Sequence, residues 1–286
     1  MAELKIGTCS WKYDSWKNLV YPDKPKINHL AEYSKKYNSV EVDQWFWSLF
    51  EGYDPALPKR KDVLAYAASI PKDFKFTVKL PNSLTLTHYY TKKKSDPLKE
   101  NPYFLSDDLV EKFLDSVSEI KPNLGPMMMQ FEYLNKHKMK SLLHFLGHLQ
   151  ELTVNLPEEF QFAIETRNPN YLKKELFEFL HEYNLGFVFL EGYYMPPVRE
   201  VYSAFKEHIK GFTIIRLHGP DRSGIEKISG GNWNQIYQPK DDDLPSIASI
   251  ISELLDRDVD VYLNVNNHYE GSAPITIEKI SNLLGV

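Results

Sequence analysis

Only one cysteine, Cys9, occurs in the 286-residue chain. An intrachain disulfide is therefore excluded, and so is a zinc site built on several thiolates. Long apolar runs are missing too: none approaches the ~18 residues of a membrane-spanning helix. The opening MAELKIGTCSW lacks the basic stretch and apolar stretch of a signal peptide. No Gly-rich phosphate turn follows the first apolar run, which argues against a dinucleotide-binding sheet, and no HExxH pattern marks a metallohydrolase. Positive charge is not in excess either. With a formal net charge of -5, the surface as a whole is no binder of nucleic acid or membrane, so any polyanion site must be local. The lysine run at 92–94 is offset by the aspartate run at 241–243, and such runs are usually solvated surface. These exclusions point to a soluble cytoplasmic protein that carries no organic cofactor motif.

What is present is a regular alternation. Eight short apolar, β-rich runs occur in order: LKIGTCSW, SVEVD, FKFTVKL, GPMMMQF, FQFAIETR, LGFVFLEG, GFTIIRLHG and DVYLNVNN. Segments of helical periodicity separate most of them, including INHLAEYSKKY, LVEKFLDSVSEI, MKSLLHFLGHLQEL, LKKELFEFLHEY, LPSIASIISELL and APITIEKISNLL. Strands alternating with helices imply a parallel sheet with right-handed crossovers. Eight units in this length predict a single α/β domain over residues 1–286, a (β/α)8 TIM-type barrel. Links from helix to strand are terse, whereas those after the first, third and seventh runs are long. Loops at the C-terminal ends of barrel strands build the working face, so function is expected there.

Barrel strands are covered on both faces and should be apolar almost throughout. Reading each run at period two instead gives an inner set that turns polar near its end. That set comprises Thr8 and Ser10, Glu41 and Asp43, Thr77 and Lys79, Glu165 and Arg167, Arg216 and His218, and Asn264 and Asn266. The alternate set, such as Val40, Val42, Phe76, Val78, Ile164, Leu217 and Val265, is apolar.

A rim of mixed charge suits a polar ligand. Arg167, Arg216 and Lys79 offer charge-assisted hydrogen bonds to a phosphate or carboxylate. Glu165 and Glu41 are the candidate acid and base, and His218 and Asn266 would orient the ligand. His88 in the third loop, and rings such as Trp11, would complete the contacts, aromatic faces being suited to a sugar or base. The competing reading is a self-neutralising plug, in which Glu165 pairs with Arg167 or Glu41 with Lys79. His88, His218, Glu41 and Glu165 are the only obvious metal donors, too sparse for a multinuclear site. No tightly held metal is expected, and a divalent ion stands as the less favoured alternative.

The segments GTCSWKYDSW (7–16), VEVDQWFW (40–47), KLPNSLTLTH (79–88), LGPMMMQ (124–130), AIETRNPNY (163–171), RLHG (216–219) and NNHYEGSA (266–273) resemble, in order and spacing, the YecE-like family. That family is a domain of unknown function with a TIM-barrel-like fold. The resemblance spans nearly the whole chain. It implies a rim that includes Gln130 and Thr87 beside the residues named above. It also implies a direction toward nucleic-acid processing, by likeness to metal-dependent barrel endonucleases, although the His-rich ligand set of those enzymes is missing here. The chain departs from the family pattern at Asp43, Trp47, Ser48 and Asn168, which bears on how the ligand is recognised. Together these observations lead us to expect a hydrolase or lyase acting on a phosphorylated or otherwise anionic sugar- or nucleotide-like substrate. The alternative is a non-catalytic binding protein for a small anion or single-stranded nucleic acid.

Overall fold

The computed structural model describes residues 1–91 and 96–286, so the lysine run at 92–94 lies outside the described residues. The eight apolar runs form β1 (Leu4–Thr8), β2 (Ser39–Val42), β3 (Lys75–Lys79), β4 (Leu124–Gln130), β5 (Phe162–Glu165), β6 (Gly186–Gly192), β7 (Phe212–Gly219) and β8 (Asp260–Val265). They make one 8-stranded sheet in the order β1-β8-β7-β6-β5-β4-β3-β2, parallel throughout. This is the (β/α)8 barrel that the alternation of strands and helices predicts. Among the described residues, no helix is long and apolar enough to cross a membrane.

The periodic segments become α1 (His29–Tyr33), α4 (Asp107–Ser116), α5 (Leu142–Thr153), α6 (Lys174–Glu182), α9 (Leu244–Asp256) and α10 (Ala273–Leu284), while α3 (Asn82–Thr85) is a single turn after β3. Side-chain caps start several of them. Asn28 accepts from Ala31 N, Ser106 from Leu109 N and Ser141 from His144 N, each satisfying an amide that the first turn leaves unpaired. The structure adds α2 (Arg60–Ala67) after β2, α7 (Val198–Phe205) after β6 and α8 (Arg222–Ser229) inside the long seventh loop. These are two-turn helices, and α2 buries only Val63, so periodicity gave them little signal.

Two apolar cores lie on opposite faces of the sheet. Val40, Val42, Phe76, Val78, Ile164, Ile215, Leu217, Leu263 and Val265 pack outward against the helices. Met128, Ala163, Val188, Phe212, Ile214 and Tyr262 fill the lower interior as a separate cluster. Above them, Asn264 Nδ2 donates to Thr77 Oγ1 at 2.9 Å across the barrel, and above that pair the interior becomes charged.

The seam between β1 and β2 is closed largely by side chains. Ile6 N donates to Asn38 Oδ1 at 2.7 Å, and Asn38 Nδ2 donates to Leu4 O at 3.1 Å. The Tyr33 hydroxyl from α1 accepts from Thr8 N at 2.8 Å and donates to Ser39 O at 3.1 Å. Higher up, Ser10 N donates to Glu41 O at 3.0 Å. Gly7 is required here, because a Cβ would run into the Ser39 carbonyl.

This seam corrects one expectation. Thr8 faces outward, its Oγ1 2.9 Å from the Tyr33 hydroxyl, and it is Cys9 that turns into the barrel. The side chain missing at Gly7 leaves the phase of β1 unmarked in the sequence. Replacing Tyr33 by phenylalanine should strand Thr8 N and Ser39 O, both buried. We expect a loss of about 2–4 kcal/mol in chemical denaturation; an unchanged midpoint would mean that the seam does not depend on this hydroxyl.

Candidate functional site

Inward side chains from five strands meet where the barrel opens toward the long loops. Arg216 of β7 is at their centre and fully buried. Its Nε donates to Glu41 Oε2 at 2.8 Å and its Nη2 to Glu41 Oε1 at 2.6 Å, a bidentate pair with β2. Its Nη1 donates to Glu165 Oε2 of β5 and, at 3.2 Å, to Gln130 Oε1 of β4. Arg167 closes the circuit: Nε donates to Glu165 Oε1 and Nη2 to Gln130 Oε1, each at 3.1 Å. One amide oxygen and two carboxylates thus hold two guanidinium groups.

The backbone places a ring over this network. Gly192 and Gly219 take positive φ where β6 and β7 touch backbone to backbone, and a Cβ at Gly192 would meet Gly219. The chain then turns so that the Tyr193 ring lies 4.4 Å from the Arg167 guanidinium, and its hydroxyl 3.4 Å from His218 Nδ1. His218 Nε2 in turn lies 3.5 Å from Cys9 Sγ, which is 3.6 Å from Glu41 Oε2. Among the described residues, Cys9, Glu41 and His218 bring their donor atoms within 4.8 Å of one another.

Burial and charge pull the titratable groups apart. Burial pushes the Cys9 thiol well up, and the Glu41 carboxylate adds to this. Burial drives His218 well below the usual imidazole range, helped by Arg216, Arg167 and Lys79, so the ring is neutral. Burial alone would raise Glu165, but Arg216, Arg167 and Lys79 outweigh it and hold the carboxyl below its ordinary value. Lys79, on the inner face of β3, is brought down to about 8 by burial and by Arg216. Asp43, just past β2, is raised by burial and by Glu41.

Lys79 differs from the two arginines in its surroundings. Its Nζ sits 3.9 Å from the centroid of the Phe46 ring. Among the described residues no carboxylate lies within ion-pair distance of it, although Glu41, Glu165 and Asp43 all act on it from further away. Asp43, half-buried, likewise lacks a side-chain partner among the described residues.

The residues singled out from sequence separate into groups. Glu41, Glu165, Arg216, Arg167 and Gln130 form the network, with His218 at its edge and Lys79 beside it. Asn266 instead shapes the loop after β8, its Oδ1 accepting from His268 N at 2.9 Å. His88 bonds through Nδ1 to Thr87 Oγ1 at 2.8 Å. Trp11 is buried edge-on against Tyr66 of α2 and packs with the helices. Of the departures from the family pattern, Asn168 is structural: Oδ1 accepts from Leu134 N at 2.7 Å and Nδ2 donates to Leu134 O at 2.9 Å. Ser48 is also structural, bonded to Asn82 and Ser83, while Trp47 is exposed beside Tyr90. Cys9 was not expected at the site. No strand alternation reaches Tyr193, which follows a positive-φ glycine.

The carboxylate–guanidinium network makes a prediction with a definite pH sign. Glu165 has a folded pKa below its unfolded one, so its contribution is present above the unfolded carboxyl pKa and is lost as pH falls through the folded value. Glu165→Gln should destabilise the protein at neutral pH by about 3–5 kcal/mol, since two guanidinium groups lose their shared counter-charge. The variant should also show a shallower acid-induced loss than the wild type. Parallel acid-denaturation profiles for the two proteins would mean that Glu165 is not the group that titrates.

Comparisons with known proteins agree with this architecture. The family model described as "Protein of unknown function DUF72" matches residues 5–286. The UPF0759 protein YecE of Escherichia coli K12 is 28% identical over 170 residues, covering 59% of this chain and 50% of that protein. The chain thus matches about half the length of its curated relative. A DUF72 family crystal structure from Thermotoga maritima superposes with a TM-score of 0.67 at 21% identity, over 99% of both chains. Another, from Enterococcus faecalis V583, gives a TM-score of 0.71 at 16% identity, over 99% of this chain and 96% of that one.

Proposed function

The chain belongs to the DUF72 family of proteins of unknown function, and we propose that its barrel mouth binds a small phosphorylated or otherwise anionic sugar- or nucleotide-like ligand, on which it acts as a hydrolase or lyase. The observation that carries this reading is Lys79. An ammonium group drawn into the barrel, with an aromatic face beside it and no carboxylate at ion-pair distance among the described residues, lacks a counter-charge in contact, Glu41, Glu165 and Asp43 acting on it only from further away. A phosphate or carboxylate entering from the loops would supply it. Arg167 borders the same mouth and is 26% exposed, so it can add a guanidinium contact without giving up Glu165.

Arg216 does not share this task, because Glu41 and Glu165 already occupy its donors. We assign proton transfer to Asp43, a carboxylate that lacks a side-chain partner among the described residues and feels the charge of Lys79. Glu41 and Glu165 contribute mainly by fixing the field in which an anion is held. One observation favours the second reading, a non-catalytic receptor: both glutamates, which sequence alone put forward as acid and base, are tied to arginine. The mixed rim and the net charge of -5 favour a small ligand over a nucleic-acid strand.

Inorganic phosphate or a sugar phosphate, added with a chelator present, should raise the melting temperature of the wild type by binding the folded state. Lys79→Met should abolish that gain. Lys79 binds the anion as an ammonium, so the gain should be full below pH ~8 and fade as pH rises through about 8. Asp43→Asn should keep the gain, and it should stop turnover if the protein is an enzyme. If millimolar anion leaves the wild-type transition unmoved at pH 7, the reading fails.

A further inference from the structure

Cys9, His218 and Glu41 come from the ends of three different strands and converge at one point. We propose that Cys9 Sγ, His218 Nε2 and Glu41 Oε2 form a three-ligand site for a thiophilic divalent cation of the zinc type. The distances carry the argument. In a tetrahedral zinc site, with bonds of about 2.3 Å to sulfur and about 2.0–2.1 Å to nitrogen or oxygen, sulfur lies roughly 3.5–3.6 Å from each neighbouring donor. Cys9 Sγ lies 3.5 Å from His218 Nε2 and 3.6 Å from Glu41 Oε2. All three donors are within 4.8 Å of one another, and all three residues are buried.

The neighbours suit ligation as well. His218 presents Nε2 to the cluster while Nδ1 faces the Tyr193 hydroxyl at 3.4 Å, so a proton on Nδ1 leaves the Nε2 lone pair free. Such outer partners orient metal-bound imidazoles. Arg216 takes one lone-pair direction on each Glu41 oxygen, and a carboxylate oxygen has two, so Oε2 keeps one for a cation. Thiolate and carboxylate together match the charge of a dication, and Arg216 then keeps Glu165, which it shares with Arg167. Uptake replaces the Cys9 S–H proton by the metal and releases that one proton to solvent; no other bond changes. Three protein ligands leave a fourth position for water or a substrate oxygen, the pattern of a catalytic zinc site.

This proposal does not rest on anion binding at Lys79, and the two are tested separately. Wild-type protein in phosphate-free buffer, titrated with Co²⁺ as probe, should bind one equivalent and develop a thiolate-to-cobalt charge-transfer band in the near ultraviolet. Cys9 is the sole cysteine, so that band reports on this sulfur alone. Cys9→Ser should abolish the band and weaken binding by more than the ~10–100-fold that an outer-shell partner commands, whereas Tyr193→Phe should keep the band and lose about 10-fold in affinity. Zinc-edge X-ray absorption on the zinc-loaded wild type needs no variant and should show one sulfur at about 2.3 Å. No charge-transfer band with millimolar Co²⁺, an unaltered band in Cys9→Ser, or a zinc shell without sulfur would each overturn the proposal.

Discussion

The Arg216 guanidinium, buried between Glu41 and Glu165, is the interaction around which the upper barrel is arranged. Removing one ion from water costs several kcal/mol even after relaxation, and this chain buries one cation and two carboxylates in the same small volume. The arrangement is tolerable because almost every donor and acceptor is used. Glu41 takes two bonds from Arg216, while Glu165 and Gln130 each take one from Arg216 and one from Arg167. Four strands are thereby tied at one level, with a geometry that apolar packing could not fix so tightly.

That expenditure has consequences for the mouth. With Arg216 committed to Glu41, Glu165 and Gln130, the charged groups it does not hold are Lys79, Asp43 and the outer edge of Arg167, which the proposed anion would meet. Burial first, and the positive charge of Arg216 behind it, lowers Lys79 and keeps His218 neutral. A neutral imidazole next to a thiol and a carboxylate is a donor set, whereas a charged one would be another cation.

The barrel itself was legible in the sequence, and so was the end at which its interior turns polar. Alternation at period two marks a strand whose two faces see different surroundings. On β2, β3, β5, β7 and β8 it separated helix-facing from interior residues correctly, because Val40, Phe76, Ile164, Leu217 and Val265 meet apolar helices while Glu41, Thr77, Glu165, Arg216 and Asn264 do not. It failed on β1. Gly7 has no side chain to set the phase, and Thr8 looks like an interior polar residue although its hydroxyl serves the seam with Tyr33. That one slip hid Cys9.

Residue order and side-chain period are enough to tell that eight strands alternate with helices, that the interior turns polar toward the C-terminal ends, and that Glu41, Glu165, Arg216 and Lys79 face inward there. Those are local properties, set by the period of side-chain direction and by the cost of exposing apolar surface. Partnership was decided only by the tertiary structure. Glu41 and Arg216 are separated by 175 residues, and which cation each carboxylate takes depends on barrel closure and strand stagger, which bring β2, β5 and β7 to one level. Sequence pattern suggested Glu165 with Arg167 and Glu41 with Lys79. Closure gave Arg216 to both glutamates, kept Arg167 on Glu165, and left Lys79 facing an aromatic ring, because Coulomb attraction acts on distances that the order of residues along the chain does not record.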